Sequence, residues 1–171
     1  MTASRDRAVG ALVGLAVGDA VGTTLEFRRP GTFEPITDMV GGGPFRLPAG
    51  AWTDDTSMAV CLAESILDTG ELDLADPLRR YVAWRRGGYW SSTGTCFDIG
   101  GTTPAPLNRF ESTGEVVYAT IVHHAEDKVT LMRYPAITVP SHTDIADAQE
   151  LSGVTSRTTQ HAGRPVDTCR H

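Results

Sequence analysis

The fold is decided by the N-terminal stretch RDRAVGALVGLAVGDAV, residues 5–21. Its apolar residues recur at steps of three and four, as on one face of a helix. They are Val9, Leu12, Val13, Ala16, Val17 and Ala20. Gly10, Gly14 and Gly18 stand on one side, and each costs up to ~1 kcal/mol inside a helix. Close approach of another backbone would offset that cost, so we expect a buried central helix. Asp19, at its end, is either a cap or part of a site.

Further along the chain, the sequence predicts a long loop followed by two helices. Residues 22–52 are rich in glycine and proline, and a loop of this length is usually functional or disordered. Apolar spacing from Met58 to Ile66 predicts a helix that Gly70 ends. Asp76 followed by Pro77 predicts the start of another helix.

The composition excludes several classes of protein. The chain has 171 residues, 40% of them hydrophobic, which suits one globular domain. Its net charge of −6 argues against unaided binding of nucleic acid, which relies on basic side chains. Glycines and Asp19 interrupt the best apolar run, so we expect no membrane span. Three scattered cysteines indicate neither a disulfide framework nor a zinc site, and we expect a reducing, cytoplasmic location.

The strongest local signal is Trp52-Thr53-Asp54-Asp55-Thr56, where a loop becomes a helix. Adjacent carboxylates repel one another, and oxygen ligands of this kind suit hard cations such as Mg²⁺, Mn²⁺ or Ca²⁺. Helix capping is the alternative, because Asp and Thr are favoured at helix N-termini. On spacing alone capping is the commoner explanation, and both interpretations stay open.

Two further carboxylates stand in segments that could line a site. Glu26 follows the glycine-bearing helix, where a lone Glu is usually a solvated loop residue. Asp98 lies in residues 91–100, a run dense in hydroxyls and glycines. Such a run can pair with ribose hydroxyls and phosphate oxygens, or it can be a turn-rich connector in which Asp98 caps the next helix.

Three segments, taken in order, resemble motifs of the ADP-ribosylglycohydrolase family. They are residues 10–27, 50–59 and 89–100. The resemblance is specific over residues 1–103 and weak over residues 104–171. It implies an all-α fold, here a partial helical domain with long Gly/Pro-rich loops. The family's second metal motif, an Asp-x-Asp-Thr, has no counterpart before His171. We therefore expect a single, incomplete domain over residues 1–171.

The resemblance also implies a function. Family members hydrolyse the glycosidic bond that joins ADP-ribose to an acceptor, with a binuclear Mg²⁺ or Mn²⁺ centre. Thr53, Asp54 and Asp55 would be metal ligands, and Glu26 and Asp98 would be catalytic carboxylates. The substrate would be an ADP-ribosylated protein or a small ADP-ribosyl compound. The residues expected to bind it are Ser91, Ser92, Thr93, Gly94, Thr95, Cys96 and Gly100.

Two other hypotheses remain. The chain could be a non-catalytic remnant that at most binds ADP-ribose or metal, because the C-terminal metal ligands are missing. It could also be a helical scaffold in which Asp54 and Asp55 only cap. A helical core built for a larger domain would leave apolar faces uncovered, for example at Leu62, Ile66 or Val82. Such faces would favour self-association.

Overall fold

The computed structural model describes residues 3–70, 73–116 and 155, and they form a helical arrangement. It contains four α-helices: α1 (Ala3–Gly22), α2 (Asp54–Thr69), α3 (Ala75–Gly87) and α4 (Pro104–Thr113). A 3-10 turn, Thr23–Leu25, continues α1. Within the described ranges there is no strand, only an isolated bridge between Gly42 and Leu47. The predicted all-α class is confirmed.

Helix α2 lies at the centre, with α1 on one side and α3 on the other. One apolar cluster joins α2, α3 and α4 and consists of Met58, Cys61, Leu78, Tyr81, Trp84 and Leu107. A second cluster packs Leu62, Ala63 and Ile66 of α2 against Leu12 of α1. Burying a large apolar side chain contributes roughly 1.5–3 kcal/mol, so these clusters hold the helices together. The expectation that Leu62 and Ile66 would be uncovered is wrong, since they are 0% and 7% exposed.

Helix α1 is far more exposed than its sequence indicates. Val9, Val13 and Val17 are 53%, 54% and 45% exposed. A Cβ atom added at any of the four glycines of α1 would meet no described atom within 4 Å. The expected close approach of another backbone is therefore absent from the described residues, and the central helix is α2 instead. Leu12, the buried Ala20 and the hydrogen bonds that Asp19 accepts from Thr53 and Thr56 tie α1 to α2.

One helix meets a length-and-hydropathy test for a membrane span. It is the segment Arg5–Leu25, with mean hydropathy 1.6, the one candidate in the described residues. The sequence criterion of an uninterrupted apolar run had not selected it. A single helix of this kind is weak evidence, because core helices and signal sequences pass the same test.

An ion-pair network fastens α3 to α2. Arg80 of α3 pairs with Glu64 at 2.5 Å, Asp68 at 2.7 Å and Asp76 at 2.6 Å. Its side chain is only 17% exposed, so the charges are partly shielded from water. Each acid in this network has the same guanidinium as its counter-ion.

Hydrogen bonds also connect α2 to the segment that follows α3. Glu64 accepts hydrogen bonds from the Tyr89 hydroxyl at 2.5 Å and from the Trp90 indole at 2.9 Å. The Trp52 indole donates to the Trp90 carbonyl at 3.2 Å, and the Ser92 hydroxyl donates to the Trp52 carbonyl at 2.6 Å. The loop after α3 is thereby held against the N-terminal end of α2, which is where the site lies.

Candidate active site

A cleft of about 490 Å³ opens where the end of α1 and the 3-10 turn meet the start of α2. Its polar lining is mainly carboxyl groups that the sequence separates by up to 79 positions. They are Asp19, Glu26, Asp54, Asp55 and Asp98. The sequence assigns site roles to four of these five and leaves Asp19 open as a cap or a site residue, and Thr53 lines the same cleft. The fold thus brings the predicted catalytic and metal-binding side chains together, although their roles remain predictions.

Asp19 acts as the cap of α2 from a different helix. Its carboxylate accepts hydrogen bonds from the backbone N–H groups of Thr53 (3.0 Å) and Thr56 (3.1 Å). It also accepts from the hydroxyls of both threonines, at 2.9 Å and 2.6 Å. The N-cap residue Thr53 makes no side-chain capping bond of its own. Because Asp19 satisfies the first turn, Asp54 and Asp55 are not required as side-chain caps.

Ionisation of Asp54 and of Asp55 is energetically unfavourable in this cleft. Asp54 is 6% exposed, and burial, followed by repulsion from Asp55 and Asp98, raises its pKa to about 8. The Gly100 N–H bonds to Asp54 and opposes that rise only in part. Burial, followed by repulsion from Asp19 and Glu26, raises the pKa of Asp55 to about 6. A bound cation would relieve both costs.

Glu26 and Asp98 share a hydrogen bond between their carboxyl groups, which requires a proton between them. Burial, with Glu26 as the next cause, raises the pKa of Asp98 to about 7. Burial also raises the pKa of Glu26. Asp98 has φ 55°, a left-handed conformation that costs of order 1–3 kcal/mol for a non-glycine residue. Asp98 can therefore hold or release a proton near neutral pH.

The charge of the cleft is uncompensated in the described part of the chain, because no Lys, Arg or His lines it. Carboxylate and hydroxyl oxygens are the donors that hard divalent cations prefer, so the donor chemistry fits Mg²⁺ or Mn²⁺. Nevertheless, no three His, Cys, Asp or Glu side chains in the described ranges are arranged to hold a metal ion. The residues fit such an ion by chemistry rather than by a preformed geometry.

Most of the residues expected to bind substrate use their polar groups elsewhere. The Ser91 hydroxyl donates to the Thr95 carbonyl at 2.6 Å, and the Thr93 hydroxyl donates to the same oxygen at 3.2 Å. Ser92 binds Trp52, as described above. Cys96 packs against the apolar cluster of α2, α3 and α4. None of residues 91–96 lines the cleft, while Gly100 reaches it through Asp54. Their role as substrate contacts stays a prediction.

A second cavity, which sequence reasoning missed, adjoins the first. Its volume is about 440 Å³, and the two share Glu26 as a wall. The remaining lining residues are Thr24, Phe27, Arg28, Gly43 and Pro44. Gly43 has φ +66°, and a Cβ there would overlap the Thr23 carbonyl, so glycine is required at this wall. The glycine run at residues 41–43 was the sequence signal for this cavity, but it did not indicate which segment packs against these glycines.

Comparison with known proteins gives a consistent result. The family model described as ADP-ribosylglycohydrolase matches residues 1–170. An ADP-ribosylarginine hydrolase, Tri1 of Serratia proteamaculans, is 58% identical over 107 residues, which are 63% of this chain and 29% of that protein. The ADP-ribosyl-[dinitrogen reductase] glycohydrolase of Rhodospirillum rubrum is 39% identical over 113 residues, covering 60% of this chain and 38% of that one.

A solved structure agrees. A chain described as an ADP-ribosylglycohydrolase-related protein complex superposes with TM-score 0.77 and 37% identity. The match covers 98% of this chain and 53% of that chain. The present chain therefore spans about half of this structure and a smaller share of the curated relatives.

Proposed function

The chain belongs to the ADP-ribosylglycohydrolase family, and from that premise we propose that it carries the acidic cleft of a hydrolase that releases ADP-ribose from a modified protein side chain. Arginine is the acceptor we favour, because a relative that is 58% identical is named as an ADP-ribosylarginine hydrolase. The observation that carries the proposal is the convergence of five carboxyl groups in one cleft without a described counter-ion. Folding alone does not favour such an arrangement, because like charges at close range raise its energy.

We propose Mg²⁺ or Mn²⁺ as the cofactor, held by Thr53, Asp54 and Asp55. In that position a divalent ion would neutralise the carboxylates, polarise ribose oxygens and offset the negative charge of the diphosphate. The Thr53 hydroxyl donates its proton to Asp19 at 2.9 Å, so its oxygen lone pairs are left to face a cation. The capping bonds of Asp19 hold the first turn of α2 in place beneath these groups.

Glu26 and Asp98 would supply the proton chemistry. Hydrolysis breaks the bond from the anomeric carbon to the acceptor nitrogen, joins a water oxygen to that carbon, and transfers one water proton to the leaving group. The transition state resembles an oxocarbenium ion, which nearby carboxylates stabilise. Because Glu26 and Asp98 lie within hydrogen-bonding reach of each other, we expect them to act as a pair that shares one proton.

A second candidate is a binding module without turnover. One observation favours the binding module: the chain spans only 29% of Tri1 and 53% of the solved structure. Such a module would use the same cleft to bind ADP-ribose, and only an assay of turnover separates the two candidates.

The test measures ADP-ribose release from ADP-ribosyl-arginine peptides with Mg²⁺ or Mn²⁺, and calorimetric binding of ADP-ribose. The inactive reference is the double variant Asp54→Asn, Asp55→Asn, and the matched control is Asp38→Asn, an acid in the exposed loop. We expect release that the double variant abolishes and the control retains. Binding without release would favour the module, and neither binding nor release would contradict both candidates.

A further inference from the structure

Phe27 has a backbone conformation and a solvent exposure that the stability of the fold does not explain. Its φ is 62°, in the left-handed region that bulky side chains rarely adopt. Its side chain is 78% exposed, so it gains little from burial. Within the part of the chain that the structure describes, its ring contacts that of Phe45, in an edge arrangement with centroids 6.3 Å apart. Strain at an exposed position is the kind of outlier that points to a binding role.

The place of Phe27 in the chain gives that role a location. It directly follows Glu26, and both residues line the second cavity of about 440 Å³. Glu26 is also a wall of the carboxylate cleft, so it stands at the boundary between the two spaces. A ligand that reacts beside Glu26 can therefore extend into both spaces, one part in each.

The two spaces differ in chemistry. The cleft holds four carboxyl groups besides Glu26, whereas the second cavity adds none. Besides Glu26 and Phe27, the second cavity is lined by Thr24, Arg28, Gly43 and Pro44. A flat cation fits between a carboxylate and an aromatic face, because it pairs with the first and stacks on the second. Arginine's guanidinium is such a cation.

We propose that the second cavity is the acceptor compartment, in which Phe27 stacks against the guanidinium of the arginine that leaves. The inference rests on the proposed function and adds to it the surface that selects the leaving group. Phe27 is then a specificity-determining residue, and its strained backbone holds the ring at the mouth of the cavity beside Glu26.

Arg28 also lines this cavity and would repel a cation. However, its guanidinium donates to the Thr32 carbonyl at 2.8 Å and lies 5.9 Å from the centre of the Phe33 ring. These contacts hold its charge toward the turn that follows. An anion that bound at Arg28 instead would be the opposite result, and the experiment distinguishes the two.

The first arm measures binding of methylguanidinium to the full chain by NMR, with inorganic pyrophosphate as the anionic comparison. We expect methylguanidinium to shift the amide signals of Phe27 and Gly43. Phe27→Leu, which keeps an apolar side chain but loses the π face, should weaken binding roughly two- to fivefold, while Phe27→Trp should not weaken it. Leu67→Ala, an exposed apolar truncation on α2, is the control without effect. Equal binding by Phe27→Leu, or shifts caused by pyrophosphate alone, would overturn the proposal.

The second arm compares two substrates. Phe27→Leu should lower kcat/KM roughly two- to fivefold for ADP-ribosyl-arginine and leave ADP-ribosyl-serine, whose leaving group is uncharged, unchanged. Equal losses on both substrates would overturn this inference while the proposed function stands. If the unmodified chain releases no ADP-ribose but binds methylguanidinium at Phe27, the proposed hydrolysis fails and the second cavity stands as a guanidinium-binding site.

Discussion

The chain contains two clusters of carboxyl groups that face opposite electrostatic conditions. In the first, Glu64, Asp68 and Asp76 surround the guanidinium of Arg80. Hydrogen bonds and the charge of Arg80 lower the pKa of Glu64 and Asp76 despite desolvation. In the second, the acids of the cleft meet no described cation. Burial, followed by repulsion between neighbouring carboxyl groups, raises the pKa values of Asp54, Asp55 and Asp98.

This contrast in pKa distinguishes the two roles: the Arg80 cluster stabilises the fold, whereas the acidic cleft needs a ligand. The guanidinium of Arg80 is paired with acids of both α2 and α3, so it joins the two helices. Acids without a counter-ion make the empty fold less stable and are retained where a bound group repays that cost. The following predictions test this division.

The largest expected effect is on cation binding. The double variant Asp54→Asn, Asp55→Asn should bind Mn²⁺ roughly 100-fold more weakly, or not at all, because it removes two anionic oxygen ligands. Calorimetric titration measures this change. Glu64→Gln, taken from the Arg80 cluster, should leave Mn²⁺ affinity unchanged. A double variant that binds Mn²⁺ as the unmodified chain does would refute the proposed cation site.

The next effect concerns the Arg80 cluster. Arg80→Ala should lower the free energy of unfolding by about 2 kcal/mol, because three acids lose the guanidinium that they share in a partly buried setting. Urea denaturation measures the loss. Arg86→Ala is the control, since Arg86 is 65% exposed and pairs with a single acid, Glu111, among the described residues, and its effect should be clearly smaller. Equal losses would show that the cluster has no special structural role.

The pH dependence of stability should have opposite signs in the two clusters. The raised pKa of Asp54, about 8 against an ordinary 3.8, means that the folded state holds a proton that the unfolded state releases. Its contribution to stability is complete below pH 4 and is lost as the pH rises through about 8. The lowered pKa values of Glu64 and Asp76 give stability above their ordinary values that is lost as the pH falls.

Asp54→Asn tests that sign in the presence of a chelator. At pH 8.5 it should stabilise the fold by about 1.5 kcal/mol, because the amide needs no proton to be neutral. At pH 5 the difference should be clearly smaller, since the folded state then holds the proton that neutralises the carboxyl group. Thermal melts at both pH values measure it. A variant that gains nothing at the higher pH would show that Asp54 carries no electrostatic cost.

The smallest effect is expected at the cap. Asp19→Ala should cost about 1 kcal/mol of stability, the usual loss when a helix N-terminus loses its side-chain acceptor. The measurement is best made at pH 5, where protonated neighbours leave little repulsion to be relieved. Asp38→Ala, an exposed loop acid, is the matched control. If both variants melt alike, the remote cap contributes nothing.

The sequence predicted the positions of the helices more reliably than it predicted which of their residues are buried. The predicted helix over residues 5–21 corresponds to α1, and Gly70 ends α2 in a left-handed conformation as expected. The start predicted at Asp76 lies one residue inside α3. Helix α4 was not predicted, although Pro104 at its start and Gly114 at its end were available signals. The exposure of α1 and the central place of α2 were not foreseen, because periodicity shows which residues share a face but not what covers that face.

The sequence by itself determined the helices, the acids at their ends and the family to which their motifs point. It did so because helix formation and turn chemistry depend on neighbours three or four residues away. Only the tertiary structure decided that Asp19 caps a helix that begins 35 residues later, and that Glu26 meets Asp98. Those contacts depend on how whole helices and loops pack, and the free energy that selects a packing is spread over the entire core.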